Sequence, residues 1–174
     1  MEFLRPIPAG ETKAILFDFD GTISLLRAGW QEIMVNFMFE VLAEAAPKED
    51  PSTLSETIEE FVTELTGKQT IYQMLRLCEE VRKRGGKPKE ALSYKHRYHD
   101  RLMDAIRYRI EGLESGRFQP SDWRVKGVAT FLKELQARGL PLYLASGTDE
   151  NFVLEETRLL EVDRFFPGRI FGAL

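Results

Sequence analysis

The sequence is poor in the residues that build disulfide frameworks and zinc sites. Its 174 residues include one cysteine, Cys78, and two histidines, His96 and His99. A single cysteine cannot form an intramolecular disulfide, and these three residues are too few ligands for a closed Cys/His zinc site. Because chains without disulfides are typical of reducing compartments, we predict a cytoplasmic protein.

Long apolar runs, an excess of positive charge and glycine-rich nucleotide-binding loops are absent as well. No stretch approaches the ~18 apolar residues of a membrane helix, and the first residues lack the basic start and apolar run of a signal peptide. The 24 Lys and Arg residues are outnumbered by 28 Asp and Glu residues, which gives a net charge of −4. Such a chain lacks the positive field that non-specific nucleic-acid binding needs. We therefore expect no membrane partner, no nucleic-acid partner and no dinucleotide or ATP site.

What the sequence does contain is enough apolar material for the core of one ordinary domain, with or without an inserted subdomain. Hydrophobic residues make up 43% of the chain and aromatic residues 11%. Two short apolar runs, residues 14–17 and 140–145, are typical of strands buried on both faces of a parallel sheet. A third apolar piece, residues 170–171, follows a turn at residues 167–168.

Helical patterns alternate with these strands. Apolar residues at positions 128, 131, 132 and 135 predict a helix before the second strand, and Thr148 is the predicted N-cap of a helix that reaches about Leu160. An alternation of strands and helices is typical of a parallel sheet. The predicted fold class is therefore α/β, with a Rossmann-like parallel sheet as its core.

Residues 25–118 carry no strand signal and show four stripes of apolar residues at helical spacing instead. Glycines and prolines separate the stripes, and we predict a capping box from Thr53 to Glu56 at the start of the second. Four amphipathic helices with short connections form an antiparallel bundle. We therefore predict an α/β core made of residues 1–24 and 119–174, and a four-helix bundle of residues 25–118 inserted into it.

The strongest chemical signal is the run Asp18-Phe19-Asp20-Gly21-Thr22 at the end of the first strand. Alternation along an extended chain points the two aspartates to one side, and the amides of the turn after Gly21 can face an anion. Open α/β sheets bind ligands at the carboxyl ends of their strands. Two carboxylates there can hold a divalent cation and divide the roles of nucleophile and general acid. The alternative is a solvated Asp-Gly turn.

This run resembles motif I of the haloacid dehalogenase superfamily of phosphatases and phosphotransferases. The resemblance implies that Asp18 attacks phosphorus, that Asp20 is the general acid and base, and that the turn at Gly21 and Thr22 binds phosphate. Dehalogenases of the superfamily usually lack the second aspartate, so Asp20 favours phosphoryl chemistry.

Residues 144–148, Leu-Ala-Ser-Gly-Thr, resemble motif II of the same superfamily, although Ser-Gly-Thr by itself is an ordinary helix start. The resemblance implies that Ser146 holds the phosphoryl group beside the Gly147 amide. The position of the helical insert, between the two motifs, resembles the helical cap of the phosphoglycolate phosphatase and β-phosphoglucomutase branch.

Together these resemblances imply a Mg²⁺-dependent phosphatase that acts on a small phosphorylated metabolite through an aspartyl-phosphate intermediate. Asp18 and Asp20 are the predicted Mg²⁺ ligands. Two alternatives stay open: a sugar phosphomutase of the same superfamily, and a non-catalytic or degenerate phosphate-binding module.

Three further residues are candidate substrate contacts. Lys68 lies in the loop of residues 66–70, which matches in place the loop that related caps direct towards motif I; its alternative is an ordinary solvated lysine. Arg27 and Trp30 lie at the crossing from core to cap, where they can reach substrate when the cap closes, or simply pack at the hinge.

The resemblance covers only the first part of the superfamily's motifs. A motif III lysine or arginine and a motif IV acid are expected beyond motif II, but no lysine follows Ser146 and no acidic residue follows Asp163. In such folds the first strand is central, so we expect it to form an exposed sheet edge here, which invites pairing with another chain. We therefore expect a fragment of the full enzyme with little activity of its own, or a chain that pairs its edge in a dimer.

The other chemistry-bearing residues have structural interpretations. The predicted apolar stripe of the fourth helix follows positions 92, 96, 99, 103, 106 and 110, which predicts partly buried histidines at 96 and 99 rather than metal ligands. Cys78 lies on the third stripe and is predicted to be a buried, unreactive thiol. The basic and aromatic residues 94–109 predict a solvated helix face with its rings packed beneath.

Overall fold

The computed structural model describes residues 12–173, so residues 1–11 of the predicted core domain and Leu174 lie outside the described part. Three β-strands and six α-helices form this part: β1 (Ile15–Asp18), α1 (Trp30–Ala45), α2 (Pro51–Glu64), α3 (Thr70–Lys83), α4 (Ala91–Glu114), α5 (Val128–Ala137), β2 (Leu142–Asp149), α6 (Glu150–Leu159) and β3 (Ile170–Ala173). No helix within it is long and apolar enough to cross a bilayer.

The strands form one parallel sheet in the order β1-β2-β3. Asp18 at the end of β1 pairs with Ala145, and Leu144 of β2 pairs with Ile170 of β3. This register brings the end of β1 beside the middle of β2, so the two predicted motifs are neighbours. The α/β class with a parallel, Rossmann-like sheet is confirmed.

β1 is an edge strand of the described sheet, as the sequence predicts, but only one of its faces is buried. Phe17 is 9% exposed and packs edge-on against Phe131 and Phe166, whereas Leu16 is 68% exposed. The prediction of a strand buried on both faces is therefore wrong for residues 12–173, because no element among them covers the face that carries Leu16.

β2 is longer than predicted, and the helix after it begins later in the chain than predicted. It continues through Asp149, with an irregular register between Ala145 and Asp149, because Asp149 still pairs with Ala173. Helix α6 therefore begins at Glu150 with Asp149 as N-cap residue, and the prediction of Thr148 as the N-cap is wrong. The extension keeps residues 146–149 as a strand end that faces the neighbouring motif.

Helices α1 to α4 pack around their own apolar core, which includes Phe37, Leu54, Phe61, Leu77 and Ile106. The sheet and its helices have a second core, centred on Phe19, Ile23, Leu132, Leu144 and Phe166, and the two cores share no buried residue. The domain bounds given above stay a prediction, since these clusters do not define where one unit ends.

Two details of the helical prediction are wrong. Asp50 caps α2 by accepting a 3.4 Å hydrogen bond from the Thr53 amide, and Pro51 takes the first helical position, so the capping box from Thr53 to Glu56 does not form. In α4 the buried stripe is Tyr94, Tyr98, Leu102 and Ile106. Ile106 belongs to both the predicted and the observed stripe, but in the first half of the helix the observed stripe lies two positions later, at Tyr94 and Tyr98, because these tyrosine rings are buried.

The shifted stripe separates the two histidines. His96 is exposed, contrary to prediction, while His99 is half-buried as predicted. Cys78 is 3% exposed, which confirms the buried thiol, and burial raises its pKa.

The two crossings between sheet and helices are hydrogen bonded to each other. The Leu25 amide donates to the Trp123 carbonyl at 2.8 Å, and the Val125 amide donates to the Ile23 carbonyl at 3.0 Å. Arg109 of α4 donates to the Leu26 carbonyl at 2.6 Å while its guanidinium lies 4.8 Å from the Trp123 ring centroid. The two crossing segments are thus hydrogen bonded to each other, and α4, the longest helix, also contacts them through Arg109.

Candidate active site

A cavity of about 310 Å³ lies where the carboxyl-terminal parts of β1 and β2 meet α1, α3 and α4. All candidate site residues named from the sequence except Thr22 line it: Asp18, Asp20, Gly21, Arg27, Trp30, Lys68, Ser146 and Gly147. The two aspartates therefore face a common space. Thr22 stays outside the lining, but its hydroxyl donates to Asp18 Oδ2 at 3.5 Å.

The turn after β1 holds the aspartates by burying the residues between and after them. Phe19 and Ile23 have no exposed surface, and the Phe19 carbonyl accepts hydrogen bonds from the amides of Ile23 and Ser24 at 2.9 Å each. Gly21 has φ of +79°, a left-handed conformation that glycine adopts without strain. The chain therefore reverses directly after Asp20, which leaves both carboxylates at the cavity.

Asp18 is the more exposed of the two carboxylates. Partial burial raises its pKa, and the negative charge of Asp20 adds to that effect, while hydrogen bonds from the Phe19 amide and the Thr22 hydroxyl oppose it. Burial thus makes the charged form of Asp18, which a nucleophile needs, less favourable than it is in water.

Asp20 is oriented by the second motif. Its Oδ2 accepts hydrogen bonds from Ser146 Oγ at 3.2 Å and from Thr148 Oγ1 at 3.1 Å. Its Oδ1 is buried and has no hydrogen-bond partner within residues 12–173. A buried carboxylate oxygen without a partner is unusual in a folded protein and is the position where a proton, cation or ligand is expected.

These oxygens fit a hard divalent cation. Mg²⁺ is commonly held by one or two carboxylates together with waters and substrate phosphate oxygens. Asp18 and Asp20 supply two carboxylates, and Asp20 has the unpartnered Oδ1. Across residues 12–173 no group of three or more His, Cys, Asp or Glu side chains is placed to hold a metal. Residues 12–173 therefore offer two carboxylates at this cavity, which is within the one or two that commonly hold Mg²⁺.

Arg27 lies at the cavity but is already paired. Its Nη2 donates to Glu156 Oε1 at 2.6 Å and its Nε donates to both carboxylate oxygens at 2.9 and 3.2 Å. The two residues are 7% and 3% exposed. Burial opposes the charge on Arg27, but Glu156 outweighs it and raises the pKa of the guanidinium. Arg27 therefore ties the crossing to α6, in addition to lining the cavity.

The helices meet the sheet directly around the cavity. A methyl group placed on Gly147 would lie 2.7 Å from the Lys68 carbonyl oxygen, so the loop with Lys68 touches motif II. On α4, Lys95 Nζ donates to Asp149 Oδ1 at 2.5 Å, and the His99 ring lies 4.4 Å from the Phe152 ring centroid. The cavity is thus bounded by contacts between sheet and helices on two sides.

The residues at or behind this cavity that the sequence did not indicate as site residues include Gln73, Tyr98, Thr148 and Glu156. Gln73, Tyr98 and Glu156 are polar side chains at buried positions of helical stripes, on α3, α4 and α6. That pattern is a usable signal, because a polar residue in an apolar stripe needs a partner. The sequence does not say what the partner is.

Three solved structures are similar to this chain at 18% sequence identity. A candidate β-phosphoglucomutase from Thermotoga maritima has a TM-score of 0.44, with 92% of this chain and 61% of that chain covered. A HAD family hydrolase from Deinococcus radiodurans R1, with bound phosphate and sodium, has 0.42, with 92% and 58% covered. A candidate phosphatase from Clostridium difficile has 0.47, with 93% and 60% covered. The chain thus spans less than two thirds of the length of each.

Comparison with curated proteins finds no match. The model of one protein family, described as haloacid dehalogenase-like hydrolase, matches residues 12–174. The matched range contains both strand-end motifs and the helices between them. The chain therefore belongs to the haloacid dehalogenase-like hydrolases.

Proposed function

We propose that this chain carries the nucleophile, the general acid and base, and part of the phosphate site of a Mg²⁺-dependent phosphatase. Its substrate is a small phosphomonoester, and an aspartyl-phosphate forms on Asp18. The observation that supports this most is that Asp18 and Asp20 line one cavity while Asp20 is hydrogen bonded to Ser146 and Thr148.

In the first step an Asp18 oxygen attacks phosphorus, and the bond from phosphorus to the alcohol oxygen breaks. Asp20 enters this step protonated and gives its proton to the departing alcohol oxygen. In the second step a water oxygen attacks the aspartyl-phosphate and the bond from Asp18 to phosphorus breaks. Asp20 now accepts the proton of that water, so inorganic phosphate leaves and both carboxyl groups return to their starting states.

The phosphate site would combine the Ser146 hydroxyl with the amides of Gly147 and of the turn at Gly21 and Thr22. Asp18 and Asp20 would hold Mg²⁺, Asp20 through the carboxyl oxygen that does not carry its proton. When bound, the cation neutralises the charges of Asp18 and the phosphate, which lets two anions approach each other. Besides Mg²⁺, Lys68 is a candidate for a positive charge that binds the phosphate, because it lines the cavity and forms no ion pair within residues 12–173.

The four helices would act as a cap that limits water access during the first step. Contacts of Lys68 with Gly147 and of Lys95 with Asp149 support a closed arrangement. Exclusion of water strengthens electrostatic interactions inside the site and protects the intermediate until the alcohol has left.

The test, made on the full-length protein, is an adduct with beryllium fluoride in the presence of Mg²⁺, followed by ¹⁹F NMR. The proposal requires a protein-bound signal in the wild-type protein and in Asp104→Asn, an exposed carboxylate on α4 outside the cavity. The signal should be absent in Asp18→Asn, and Mg²⁺-dependent hydrolysis of p-nitrophenyl phosphate should fall at least about 10³-fold. An adduct that survives in Asp18→Asn, or no adduct in the wild-type protein, overturns the proposal.

A further inference from the structure

The helical side of the cavity is lined by uncharged residues. Helix α1 contributes Trp30, Gln31 and Met34, α3 contributes Thr70 and Gln73, and α4 contributes Tyr98 and Leu102. The charged aspartates lie on the opposite, strand-end side. A bound phosphomonoester would therefore point its phosphate at the strands and its alcohol part at this helical wall.

Gln73 and Tyr98 are the buried polar groups of the wall. Gln73 is 3% exposed and Tyr98 is 5% exposed, and no hydrogen bond joins either side chain to another of the residues 12–173. Neither side chain has a polar atom among the enclosed, unpartnered ones of this part of the chain, so the amide of Gln73 and the hydroxyl of Tyr98 are open to the cavity that they line. Burial also raises the pKa of Tyr98, so its hydroxyl is a neutral donor and acceptor at neutral pH.

Cations on the lining are poorly placed to hold a second negative group. The lining contains two, Arg27 and Lys68. Glu156 already balances the charge of Arg27 through two of its nitrogens, and Lys68 lies on the exposed loop against motif II rather than on the helical wall. On the part of the wall formed by α1, α3 and α4, a carboxylate on the alcohol part would thus meet amides, hydroxyl groups and apolar side chains, none of which carries a positive charge.

Apolar side chains complete the wall, from Trp30, Met34 and Leu102. Alternating hydroxyl and C–H groups, as in a sugar or sugar alcohol, match a wall that mixes neutral hydrogen-bonding groups with apolar surface. The volume of about 310 Å³ is at the lower end of the roughly 300–1,000 Å³ range of small-molecule sites. It suits one small phosphorylated polyol.

We infer that the substrate is a phosphomonoester of a neutral polyol, and that Gln73 and Tyr98 determine specificity by hydrogen bonding to its hydroxyl groups. This inference rests on the phosphatase function proposed above, which orients the phosphate towards Asp18. It assigns a substrate class and two specificity-determining residues.

The experiment, made in the full-length protein, compares Gln73→Leu and Tyr98→Phe with the wild type on two panels of substrates. One holds aldose, ketose and alditol phosphates, and the other holds 2-phosphoglycolate and 3-phosphoglycerate. The wild-type protein should favour a member of the first panel in kcat/KM. Each variant should lower the ratio of kcat/KM for that polyol phosphate to kcat/KM for p-nitrophenyl phosphate by about tenfold, as expected for one hydrogen bond to a neutral partner.

Tyr94→Phe is the matched control. Tyr94 is 4% exposed on the same helix, but its hydroxyl accepts a hydrogen bond from the Lys89 amide at 3.1 Å and does not line the cavity. This variant should lose thermal stability and keep the selectivity ratio. Gln73→Leu and Tyr98→Phe should keep or raise the melting temperature, because neither removes a hydrogen bond within residues 12–173.

A binding measurement separates this inference from the function on which it rests. Calorimetric titration of Asp18→Asn with the preferred polyol phosphate and with 3-phosphoglycerate reports selectivity without turnover. The inference is overturned if Asp18→Asn binds the two ligands equally or binds 3-phosphoglycerate more tightly. It is also overturned if Gln73→Leu and Tyr98→Phe both leave the kcat/KM ratio unchanged. The wild-type protein still forms the beryllium fluoride adduct on Asp18 in each of these cases. Loss of that adduct in the wild-type protein instead overturns the phosphatase proposal.

Discussion

The strand ends and the helical wall contribute to the same cavity in opposite ways. The strand ends supply residues from two short segments, Asp18, Asp20 and Gly21 from one and 146–148 from the other, and pairing of β1 with β2 brings the segments together. The helices supply single residues from three separate elements, such as Trp30, Gln73 and Tyr98. The groups assigned to chemistry are thus local in sequence, whereas those assigned to selectivity meet only through packing.

This difference places unusual weight on the contacts between the two regions. A shift of the helices would leave Asp18 and Asp20 in register but would move Gln73 and Tyr98 away from a bound molecule. Catalysis is sensitive to displacements of about 1 Å. We therefore test the difference between the strand ends and the helical wall at three contacts between them: the crossing, the loop with Lys68, and the contacts of α4 with the strand end and α6.

The largest effect is expected from the buried ion pair at the crossing. Glu156→Gln leaves the Arg27 guanidinium buried without a counter-charge, and we expect the free energy of unfolding to fall by about 3–5 kcal/mol, measured by urea denaturation. The control is Glu40→Gln, which breaks a pair of the same chemistry with Arg101 on the exposed surface of the helices. That change should cost less than about 1 kcal/mol. Equal losses of unfolding free energy in the two variants would show that the Arg27–Glu156 pair stabilises the protein no more than the surface pair does.

A smaller effect is expected where the helical loop touches motif II. Gly147→Ala would place a methyl group 2.7 Å from the Lys68 carbonyl oxygen, so the loop must move. We expect about a tenfold fall in kcat/KM and faster amide hydrogen exchange in residues 65–70, with little change in stability. Gly168→Ala is the control: φ is +67° there, but no atom lies within 4 Å of the added methyl group, so it should lower stability and leave the loop unchanged. Unchanged exchange in Gly147→Ala would contradict the contact.

The smallest effect concerns pH at the α4 contact. Burial lowers the pKa of His99 from its ordinary value of 6.5, with the nearby Arg27 adding to that effect. The unfolded chain therefore binds a proton more readily, so stability is full above about pH 6.5 and falls as the pH drops towards the folded-state pKa. His99→Gln should flatten the fall in melting temperature between pH 7.5 and 5.5, whereas His96→Gln, at an exposed position, should not. Identical dependence of melting temperature on pH in the two variants would contradict the role of His99.

Much of the fold follows from patterns along the chain. The parallel sheet, the helices between its strands and the helical insert were predicted because hydrophobic periodicity reports which elements form. Errors occurred where a tertiary contact overrode the pattern. β2 continued past Ser146 because Asp149 pairs with Ala173, and the core stripe of α4 moved because Tyr94 and Tyr98 are buried.

The site residues likewise fall into those that local sequence predicts and those that depend on contacts between distant parts of the chain. Asp18 and Asp20 were predicted because a strand end followed by a turn has a recognisable sequence, and Ser146 was predicted from the resemblance to motif II. Glu156 was missed because its partner Arg27 lies 129 residues away in the chain. Nothing in the local sequence of either residue indicates the other.

By itself the sequence determined the α/β class, the family and the acidic pair at the end of β1, because each depends on short-range periodicity or on a contiguous motif. Only the tertiary structure decided that Arg27 is held by Glu156, that the loop with Lys68 closes on Gly147, and that Gln73 and Tyr98 face the aspartates across one cavity. The physical reason is that these contacts join residues far apart in the chain, and their positions depend on how whole helices pack against a sheet.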